Sequence, residues 1–324
     1  MKIAQHFYIF WFSLGFFVDC AALFQCNKVV IWGHKLHTHT HSYVHYAFYR
    51  SFKYLGYDTL WLDNDDNINN IDFSGSLFVT TGLADKKIPL RDDCYYVLHN
   101  CDLQKYHDLC QKGRCLILQV YTHDLLSRDV EKIEDYIYFQ KSNKTLYMPW
   151  ATDLLPQEID VIKVSMPHNK ENYCHWVGTI CPDEPFSNHK QLYRFIKACK
   201  ENGIRFIHKQ SISPEQNTEH IIRSIVAPAI QGKWQCEKGY IPCRIFKNIS
   251  YGALGVTNSK TVYELFKGKI VYHEDPYQLC YLALERSKSI TLGELHELMD
   301  FVKEKHTYVN RIEHILHALT LIEQ

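Results

Sequence analysis

The sequence has no excess of charge of either sign, because 36 lysines and arginines balance 36 aspartates and glutamates. Binding to nucleic acid normally uses a clustered surplus of cationic side chains, which replace the counterions of the phosphate backbone. The charge balance therefore predicts no nucleic-acid partner. With 324 residues, the chain is long enough for two domains of ordinary size, each with its own hydrophobic core.

Several motifs are also missing. The twelve cysteines include no Cys-x-x-Cys pair, which argues against a zinc module and favours buried free thiols over a disulfide framework. The acidic stretch 63–70 lacks the glycine of a calcium-binding loop and is expected to be a solvated loop. Residues 33–38 lack the G-x-G-x-x-G motif, which argues against a dinucleotide-dependent epimerase.

The N-terminus carries an apolar run at 7–24, which follows Met1-Lys2 and is interrupted by Ser13 and Asp19. It is short for a membrane-spanning helix, and the small residues at 20–22 are typical of a signal-peptide cleavage site. A signal peptide, a short anchor and a buried helix are the alternatives. Because the first predicted strand begins only at Lys28, we expect residues 1–26 to form a targeting or membrane-associated segment. Without such a segment the protein would be cytoplasmic.

From Lys28 onwards, short apolar strands alternate with amphipathic helices, which is typical of a parallel α/β sheet. A first Rossmann-like domain is predicted over 27–150, with a helix at 43–55. Its predicted strands lie at 28–32, 56–62, 77–80, 94–99, 115–120 and 136–139.

A second alternation follows a predicted Pro-containing connector at 153–173 and indicates another Rossmann-like domain over 151–308. The C-terminal residues 309–324 are predicted to be a helix. Two α/β halves of this kind hold ligands in the cleft where the carboxyl ends of their strands face each other. The predicted strands lie at 175–179, 204–208, 254–256 and 269–272, and the predicted helices at 190–202, 214–225, 277–287, 292–305 and 309–322.

The stretch 239–266 organises the second half. It predicts a loop, a helix with Pro242 in its first turn, a stop at Gly252, a strand, and a second helix with a Thr261-x-x-Glu264 capping box. On the first helix, Arg244, Lys247 and Tyr251 share one face, while the opposite face is apolar. Two cations beside the positive end of a helix can bind a di-anion such as a diphosphate. The alternative is a solvated basic face over a core helix.

The order basic residue, Phe, polar residue, small residue, Gly and apolar strand ending in Thr-Asn resembles the donor-binding core of GT-B glycosyltransferases. The group 1 enzymes related to spore-maturation glycosyltransferases are the most similar. Residues 147–153 resemble the interdomain linker of that family, and 306–311 resemble its C-terminal helix signature. The resemblance covers 147–322, and the N-terminal half shares only the general layout.

This resemblance implies transfer of a sugar from a nucleotide-diphosphate sugar to a hydroxyl group of a glycan, lipid or protein. It also implies that no metal ion or other cofactor is required. Many retaining members carry two glutamates eight positions apart, whereas this chain has Gly239 and Lys247 there, so ribose binding by a carboxylate and the stereochemistry do not carry over. The predicted donor-binding residues are Arg244, Lys247, Asn248, Tyr251, Gly252, Thr257, Asn258 and, at the end of a predicted strand, Lys209.

Histidines are concentrated directly after the first predicted strand. Residues 37, 39 and 41 alternate and could chelate a metal ion from one face of an extended segment, but no acidic partner is near. We favour a general base instead, because an imidazole accepts a proton near neutral pH. His41 is the preferred base, and His34 and His39 are the alternatives. Two His/Asp pairs after later strands, at 99–102 and 121–124, are reserve candidates.

Two further features bear on the donor site. Residues 231–235 contain Trp234, which is predicted either to cover a bound nucleotide or sugar or to lie in the core. One Asn-x-Ser/Thr sequon, at Asn143, falls in a predicted surface turn, and the other, at Asn248, falls inside the predicted donor helix. A glycan on Asn248 would block the site, so this residue either never meets the glycosylation machinery or is buried first.

Two rival interpretations remain open at this point. One is a non-catalytic nucleotide- or sugar-binding relative, which would keep the fold without turnover. The other is a different α/β enzyme, such as a phosphorylase-like one.

Overall fold

The computed structural model describes residues 24–35, 40–122, 129–167 and 170–323. Most of the predicted targeting segment, together with His37, His39 and the 123–124 pair, lies outside these ranges. Within them, no helix is both long enough and apolar enough to cross a membrane.

The first half of the chain forms one mixed sheet in the order β2-β1-β3-β4-β5-β8-β7-β6. The strands from β2 to β8 in this order are parallel, and β7 runs antiparallel to both of its neighbours. The bounds are β1 Lys28–Trp32, β2 Thr59–Leu62, β3 Ser76–Thr81, β4 Tyr95–His99, β5 Cys115–Gln119, β6 Val130–Glu134, β7 Ile137–Gln140 and β8 Thr145–Tyr147.

The second half contains a parallel sheet in the order β10-β9-β11 and a parallel pair, β12-β13. A parallel bridge between Ala229 and Thr257 links the segment after β11 to β12. The predicted α/β class is confirmed. The bounds are β9 Glu171–Val177, β10 Arg205–Lys209, β11 Ser224–Val226, β12 Val256–Thr257 and β13 Val271–Tyr272.

Helices cover both sheets. Their bounds are α1 Thr40–Tyr54, α2 His107–Gln111, α3 Pro156–Ser165, α4 His189–Glu201, α5 Pro214–Arg223, α6 Lys233–Glu237, α7 Cys243–Ser250, α8 Lys260–Leu265, α9 Pro276–Ser289, α10 Leu292–Lys305 and α11 Tyr308–Glu323.

The first half has two cores, and the larger one lies between its sheet and the pair α1 and α11. On α1, Val44, Phe48 and Phe52 repeat every four residues, so they share one buried face. The ring of Phe48 contacts that of Tyr308 at 4.8 Å between centroids. The last helix of the chain therefore completes this larger core of the first half.

The buried Arg311 ties this returning helix to the connection between the halves. Its guanidinium donates to the carbonyl oxygens of Pro149 at 2.7 Å and Lys305 at 3.0 Å. Burial lowers the pKa of Arg311 to about 10. The two segments that resemble the linker and the C-terminal signature thus contact each other.

Several sequence predictions of local structure are wrong. The stretch 153–173 is not simply a connector, because it contains α3, which begins at Pro156 and has the Glu158 carboxylate accepting from the backbone N–H of Leu155 at 2.8 Å. Strands β6 and β8 were not predicted. The strand predicted at 254–256 is Val256–Thr257.

The predicted capping box of α8 is also wrong. The helix begins at Lys260, and the hydroxyl of Ser259 accepts from the backbone N–H of Val262. Thr261 therefore lies inside the helix. The described cysteines are free thiols.

Candidate functional site

A cavity of about 300 Å³ lies between the two halves of the chain. Helix α1 contributes to one side, and the loop after β9, the segment 230–235 and the start of α7 contribute to the other. The hydroxyl of Tyr43 donates across this cleft to the carbonyl oxygen of Ile212 at 2.5 Å. The described lining residues are Tyr43, Val44, Ala151, Asp153, Val177, Gly178, Thr179, Cys181, Phe186, Asn188, Ser211, Asn217, Ile230, Gln231, Gln235, Tyr240, Pro242, Cys243, Arg244, Lys247, Asn248 and Tyr308.

Helix α7 places two cations on the cavity wall because its faces differ. Ile245, Phe246 and Ile249 are buried in the core of the second half. The opposite face turns Arg244 and Lys247 towards the cavity. Pro242, which sequence analysis put inside the helix, is instead the residue before its first turn.

Arg244 is held by aromatic and backbone contacts. Its guanidinium carbon lies 3.7 Å from the ring centroid of Trp176, and its Nε and Nη2 donate to the carbonyl oxygen of Val177 at 3.3 and 3.2 Å. Burial lowers the pKa of Arg244. Gly178 permits this packing, since a Cβ there would come within 2.6 Å of Nη2, and its φ of +125° favours glycine. The carbonyl uses two of the five guanidinium N–H groups.

Lys247 forms an ion pair with Asp153, a residue that the sequence analysis placed only in the linker. The Lys247 Nζ lies 3.4 Å from Asp153 Oδ2, and the two side chains are 13% and 5% exposed. The Tyr251 hydroxyl donates to the other carboxylate oxygen. The ammonium also lies 4.9 Å from the ring centroid of Tyr43 on α1. No local spacing could have revealed this pair, because Asp153 is on another segment of the chain.

The structure does not place Tyr251 and Gly252 on the cavity wall, although both were predicted to bind the donor. Tyr251 is buried in the core, and desolvation, together with the Asp153 carboxylate, raises its pKa. Gly252 has a φ of +79° and follows the end of α7, where its carbonyl accepts from Lys170 Nζ at 3.0 Å. Lys209 is exposed at the end of β10 and lies outside the described lining.

Thr257 and Asn258 lie behind the cavity wall. The Asn258 side chain accepts from the backbone N–H of Gln231 at 2.8 Å and donates to its carbonyl oxygen at 3.0 Å. The Thr257 hydroxyl donates to the carbonyl oxygen of Ala229 at 3.3 Å. Both residues therefore hold the segment that carries Gln231.

Gln231 itself is more suited to contact a ligand. Its Nε2 donates to the carbonyl oxygen of Tyr240 at 2.7 Å, which fixes the orientation of the amide. Its Oε1 has no hydrogen-bond partner among the described residues, and a buried acceptor without a partner is unfavourable. Nearby, Trp234 packs between Tyr121 and Phe186 at 5.1 and 4.9 Å between ring centroids.

The two sequons differ in access. Asn248 borders the cavity but is 4% exposed, and its amide donates to the carbonyl oxygen of Ala227 at 2.8 Å. Asn143 is exposed in a turn. In the folded protein, only the second of these two side chains is accessible for glycosylation.

Four histidines meet at the carboxyl edge of the first sheet, and we call them the imidazole cluster: His34, His41, His45 and His99. The ring centroids of His34 and His41 are 5.5 Å apart, those of His34 and His45 are 5.7 Å apart, and those of His41 and His99 are 6.1 Å apart. These four side chains lie outside the described lining of the cavity, and His41 lies two residues before Tyr43, which is part of that lining. The described residues contain no group of three or more potential metal ligands.

His99 and His45 have structural partners. The His99 ring packs on Trp150 at 4.8 Å between centroids and its Nδ1 donates to the carbonyl oxygen of Leu118, while burial lowers its pKa. His45 was missed by the sequence analysis. The signal that could have found it is its spacing, because it lies one helical turn after His41 on α1.

The sequence matches no family model and no curated protein. Solved structures do match the fold. One is an alpha-glucosyltransferase in complex with UDP and a 13-mer DNA containing an HMU base, with 10% identity, 91% of this chain and 100% of that chain covered, and a TM-score of 0.58. T4 phage BGT with its UDP-glucose substrate has 10% identity, 90% and 99% coverage and a TM-score of 0.51.

A further similar structure is AviGT4, a glycosyltransferase involved in avilamycin A biosynthesis, with 11% identity, 90% and 98% coverage and a TM-score of 0.50. These similarities show that the chain has the GT-B fold.

The prediction that nucleic acid is excluded as a partner is wrong. Two of the similar structures are complexes of an alpha-glucosyltransferase with DNA, so this fold accommodates a DNA partner. The reasoning failed because a balanced net charge describes the whole chain, whereas binding depends on the charges of one surface.

Proposed function

We propose that this protein is a glycosyltransferase that moves a sugar from a nucleotide-diphosphate sugar to a hydroxyl acceptor, and that it is a distant relative of the spore-maturation group 1 enzymes. The observation that carries the proposal is the cleft between two α/β halves, with Arg244 and Lys247 of α7 on its wall. The GT-B fold of solved UDP-sugar enzymes supports it.

The second half, 151–308, would bind the donor. The diphosphate would lie against Arg244 and the first turn of α7, where free backbone N–H groups and the helix dipole favour an anion. As the sugar–phosphate bond breaks, negative charge grows on the leaving diphosphate, and fixed cations stabilise it. Gln231 would offer its Oε1 to a donor group of the nucleotide or sugar.

The first half, 27–150, would hold the acceptor, and the C-terminal residues 309–324 would brace it. His41 would be the general base, because it lies at the carboxyl edge of the first sheet beside the residues of α1 that line the cleft. Its imidazole would take the proton of the acceptor hydroxyl as that oxygen attacks the anomeric carbon.

The proposal allows several chemical classes of acceptor. One structure with this fold is bound to DNA containing a modified base, and another belongs to an enzyme of avilamycin A biosynthesis. An acceptor panel should therefore contain glycan, lipid and protein hydroxyls and DNA with a hydroxymethylated base.

The first experiment is a thermal-shift panel of nucleoside diphosphates and their sugars on the full chain. A ligand at 100 times its Kd stabilises the native state by about 2.7 kcal/mol, so one nucleotide should raise the Tm clearly. Arg244→Met should remove this shift. Arg205→Met, at an exposed arginine of β10, is the matched control and should keep it. A nucleotide shift that survives in Arg244→Met would contradict the proposed donor site.

One observation favours a nucleotide-binding protein without turnover as the second candidate. Lys247 replaces a glutamate of many retaining members, and it is already paired with Asp153. Release of the nucleoside diphosphate from a bound nucleotide sugar, measured with the acceptor panel, separates the candidates. Binding without any release would support the second.

A further inference from the structure

The imidazole cluster contains a chain of hydrogen bonds that runs from a backbone carbonyl to His41. His45 Nδ1 lies 2.7 Å from the carbonyl oxygen of Gly33, and His45 Nε2 lies 2.9 Å from the backbone nitrogen of Thr81. The Thr81 hydroxyl oxygen lies 3.1 Å from His45 Nε2 and 2.7 Å from His41 Nδ1. All three side chains belong to α1 or to the end of β3.

The backbone decides the tautomer of His45. A carbonyl oxygen only accepts hydrogen bonds, so His45 Nδ1 must carry the proton that it shares with Gly33. A backbone N–H only donates, so His45 Nε2 must offer a lone pair to Thr81. His45 is therefore neutral, with its proton on Nδ1. The carbonyl of Gly33 is also held, since it accepts from Trp61 Nε1 at 3.0 Å.

The direction of the Thr81 hydroxyl follows from this tautomer. If the hydroxyl donated to His41, its oxygen lone pair would face the Nε2 lone pair of His45 at 3.1 Å, which is repulsive. If it donates to His45 Nε2 instead, it shares that acceptor with the backbone N–H of Thr81 in a three-centre hydrogen bond, and the hydroxyl oxygen accepts from His41. His41 Nδ1 is then the protonated nitrogen, and the lone pair of His41 is on Nε2.

We propose that Thr81 and His45 are positioning residues that hold His41 as the tautomer with its basic lone pair on Nε2. This inference rests on the proposed function for its catalytic meaning, but the tautomer itself is a property of the protein alone. Orienting one ring nitrogen through a hydrogen bond at the other is a general way to set the role of a histidine.

These hydrogen-bonded groups account for the proton and the electron pairs of the transfer step. The acceptor O–H bond breaks and its proton goes to His41 Nε2, while the oxygen forms a bond to the anomeric carbon. The sugar–phosphate C–O bond breaks, and its electron pair leaves with the diphosphate. The imidazolium keeps its Nδ1–H donated to Thr81. Among the described residues, the rings of His34 and His99 lie 5.5 and 6.1 Å from the ring of His41 between centroids.

The test is nuclear magnetic resonance of the imidazole nitrogens in the full chain labelled with ¹⁵N-histidine. The His41 signals are assigned by their loss in His41→Gln. We expect His41 Nδ1 to be protonated and Nε2 to carry the lone pair in the wild type at neutral pH. A wild-type His41 protonated on Nε2 and not on Nδ1 would overturn the proposal without any variant.

Two variants sharpen this measurement. Thr81→Val keeps the buried shape but removes the hydroxyl, so the Nδ1–H preference of His41 should be lost. Thr81→Ser keeps the hydroxyl and should retain it. If Thr81→Val left the His41 tautomer unchanged, the hydrogen-bond chain would not control it, and the proposal would be wrong.

Turnover is the second readout. Thr81→Val should lower kcat by about 100-fold, the lower range of what a general base contributes, with the KM for the donor unchanged. Thr81→Ser should restore it. An equal loss in both variants would indicate a packing defect and overturn the positioning role. If His41 shows the expected tautomer but the protein transfers no sugar, the hydrogen-bond proposal stands and the proposed function is refuted.

Discussion

The two halves of the chain hold their polar groups in different ways. On the side of the second half, the cations have partners before any ligand arrives, since Arg244 donates to Val177 and Lys247 pairs with Asp153. At the carboxyl edge of the first half, imidazoles contact backbone groups and the hydroxyl of Thr81. In the proposed reaction, the second half would supply fixed positive charge, and the first half would take up a proton. Such a division suits a reaction in which an anion leaves and a hydroxyl is deprotonated.

Among the changes that test this difference between the halves, Arg244→Met should have the largest effect on turnover. The methionine keeps the apolar contact with Trp176 but removes the charge and the N–H groups, so kcat should fall by about 100- to 1000-fold, as for the loss of a transition-state donor. Arg244→Lys should fall in between, because an ammonium does not reproduce the planar fork. Steady-state kinetics measures both. Activity near that of the wild type in Arg244→Met would refute the charge role.

Asp153→Asn tests whether the carboxylate stabilises the buried Lys247 ammonium while no ligand is bound. The change keeps the shape but leaves a mostly buried ammonium without its counter-charge, so the free energy of unfolding should fall by about 3 kcal/mol. Binding of a nucleoside diphosphate should become tighter, because the anion no longer competes with Asp153. Urea unfolding with and without the ligand measures both effects.

Asp160→Asn is the matched control, because the ion pair of Asp160 with Lys303 is more exposed, with Asp160 at 55%. Such a surface pair contributes at most about 1 kcal/mol. Equal loss of unfolding free energy in the two variants would mean that the Lys247–Asp153 pair stabilises the fold no more than a surface pair.

A histidine of the second half should act on stability and not on turnover. His175 is buried in β9, its Nδ1 lies 3.0 Å from the carbonyl oxygen of His220, and desolvation, with a smaller effect of His220, lowers its pKa from 6.5 to about 4. Below pH 6.5 the His175 imidazole is protonated in the unfolded chain, whereas in the folded chain it stays neutral until the pH falls to about 4. Stability is therefore lost as the pH falls through this window.

In this pH window, the free energy of unfolding of His175→Asn should fall less steeply with decreasing pH than that of the wild type, by about 1.4 kcal/mol per pH unit. Turnover at neutral pH should stay the same. Chemical unfolding at several pH values measures the slope. His317→Asn, at an exposed position of α11, is the control. A changed turnover in His175→Asn would show that the imidazoles of the two halves do not differ in role as described.

Lys209→Met should have the smallest effect. The residue was predicted to bind the donor, yet its side chain is exposed outside the described lining of the cavity. A surface change of this kind is worth about 0.5 kcal/mol, so the donor affinity should change by about twofold. Calorimetric titration with the nucleotide measures it. A tenfold or greater loss would place Lys209 at the donor despite its exposure.

The elements that were predicted well are those with a strong local pattern. Helix α10 begins at Leu292 and ends at Lys305, as predicted, because Thr291 and Glu294 form a capping box and the apolar spacing is regular. The strand β1 was also predicted with its bounds, since a continuous apolar run between polar residues is typical of a central parallel strand. By contrast, β8 has three residues and depends on its neighbours β5 and β7.

The candidate site was predictable only in part, for a similar reason. Arg244 and Lys247 were found because they share a helix face, which is a local property. Asp153 and Thr81 were not found, because each meets its partner only through the fold. Gln231 was noted for its neighbour Trp234, but its orphan oxygen follows from the hydrogen bonds that Asn258 and Tyr240 make.

By itself, the sequence determined the α/β class, most of the helices and the face of α7 that carries the cations, because each depends on contacts between residues close in the chain. Only the tertiary structure decided that α11 completes the first half, that Asp153 pairs with Lys247, and that Thr81 and His45 orient His41. These contacts join residues tens to hundreds of positions apart. Their energies depend on burial and geometry that no local pattern encodes.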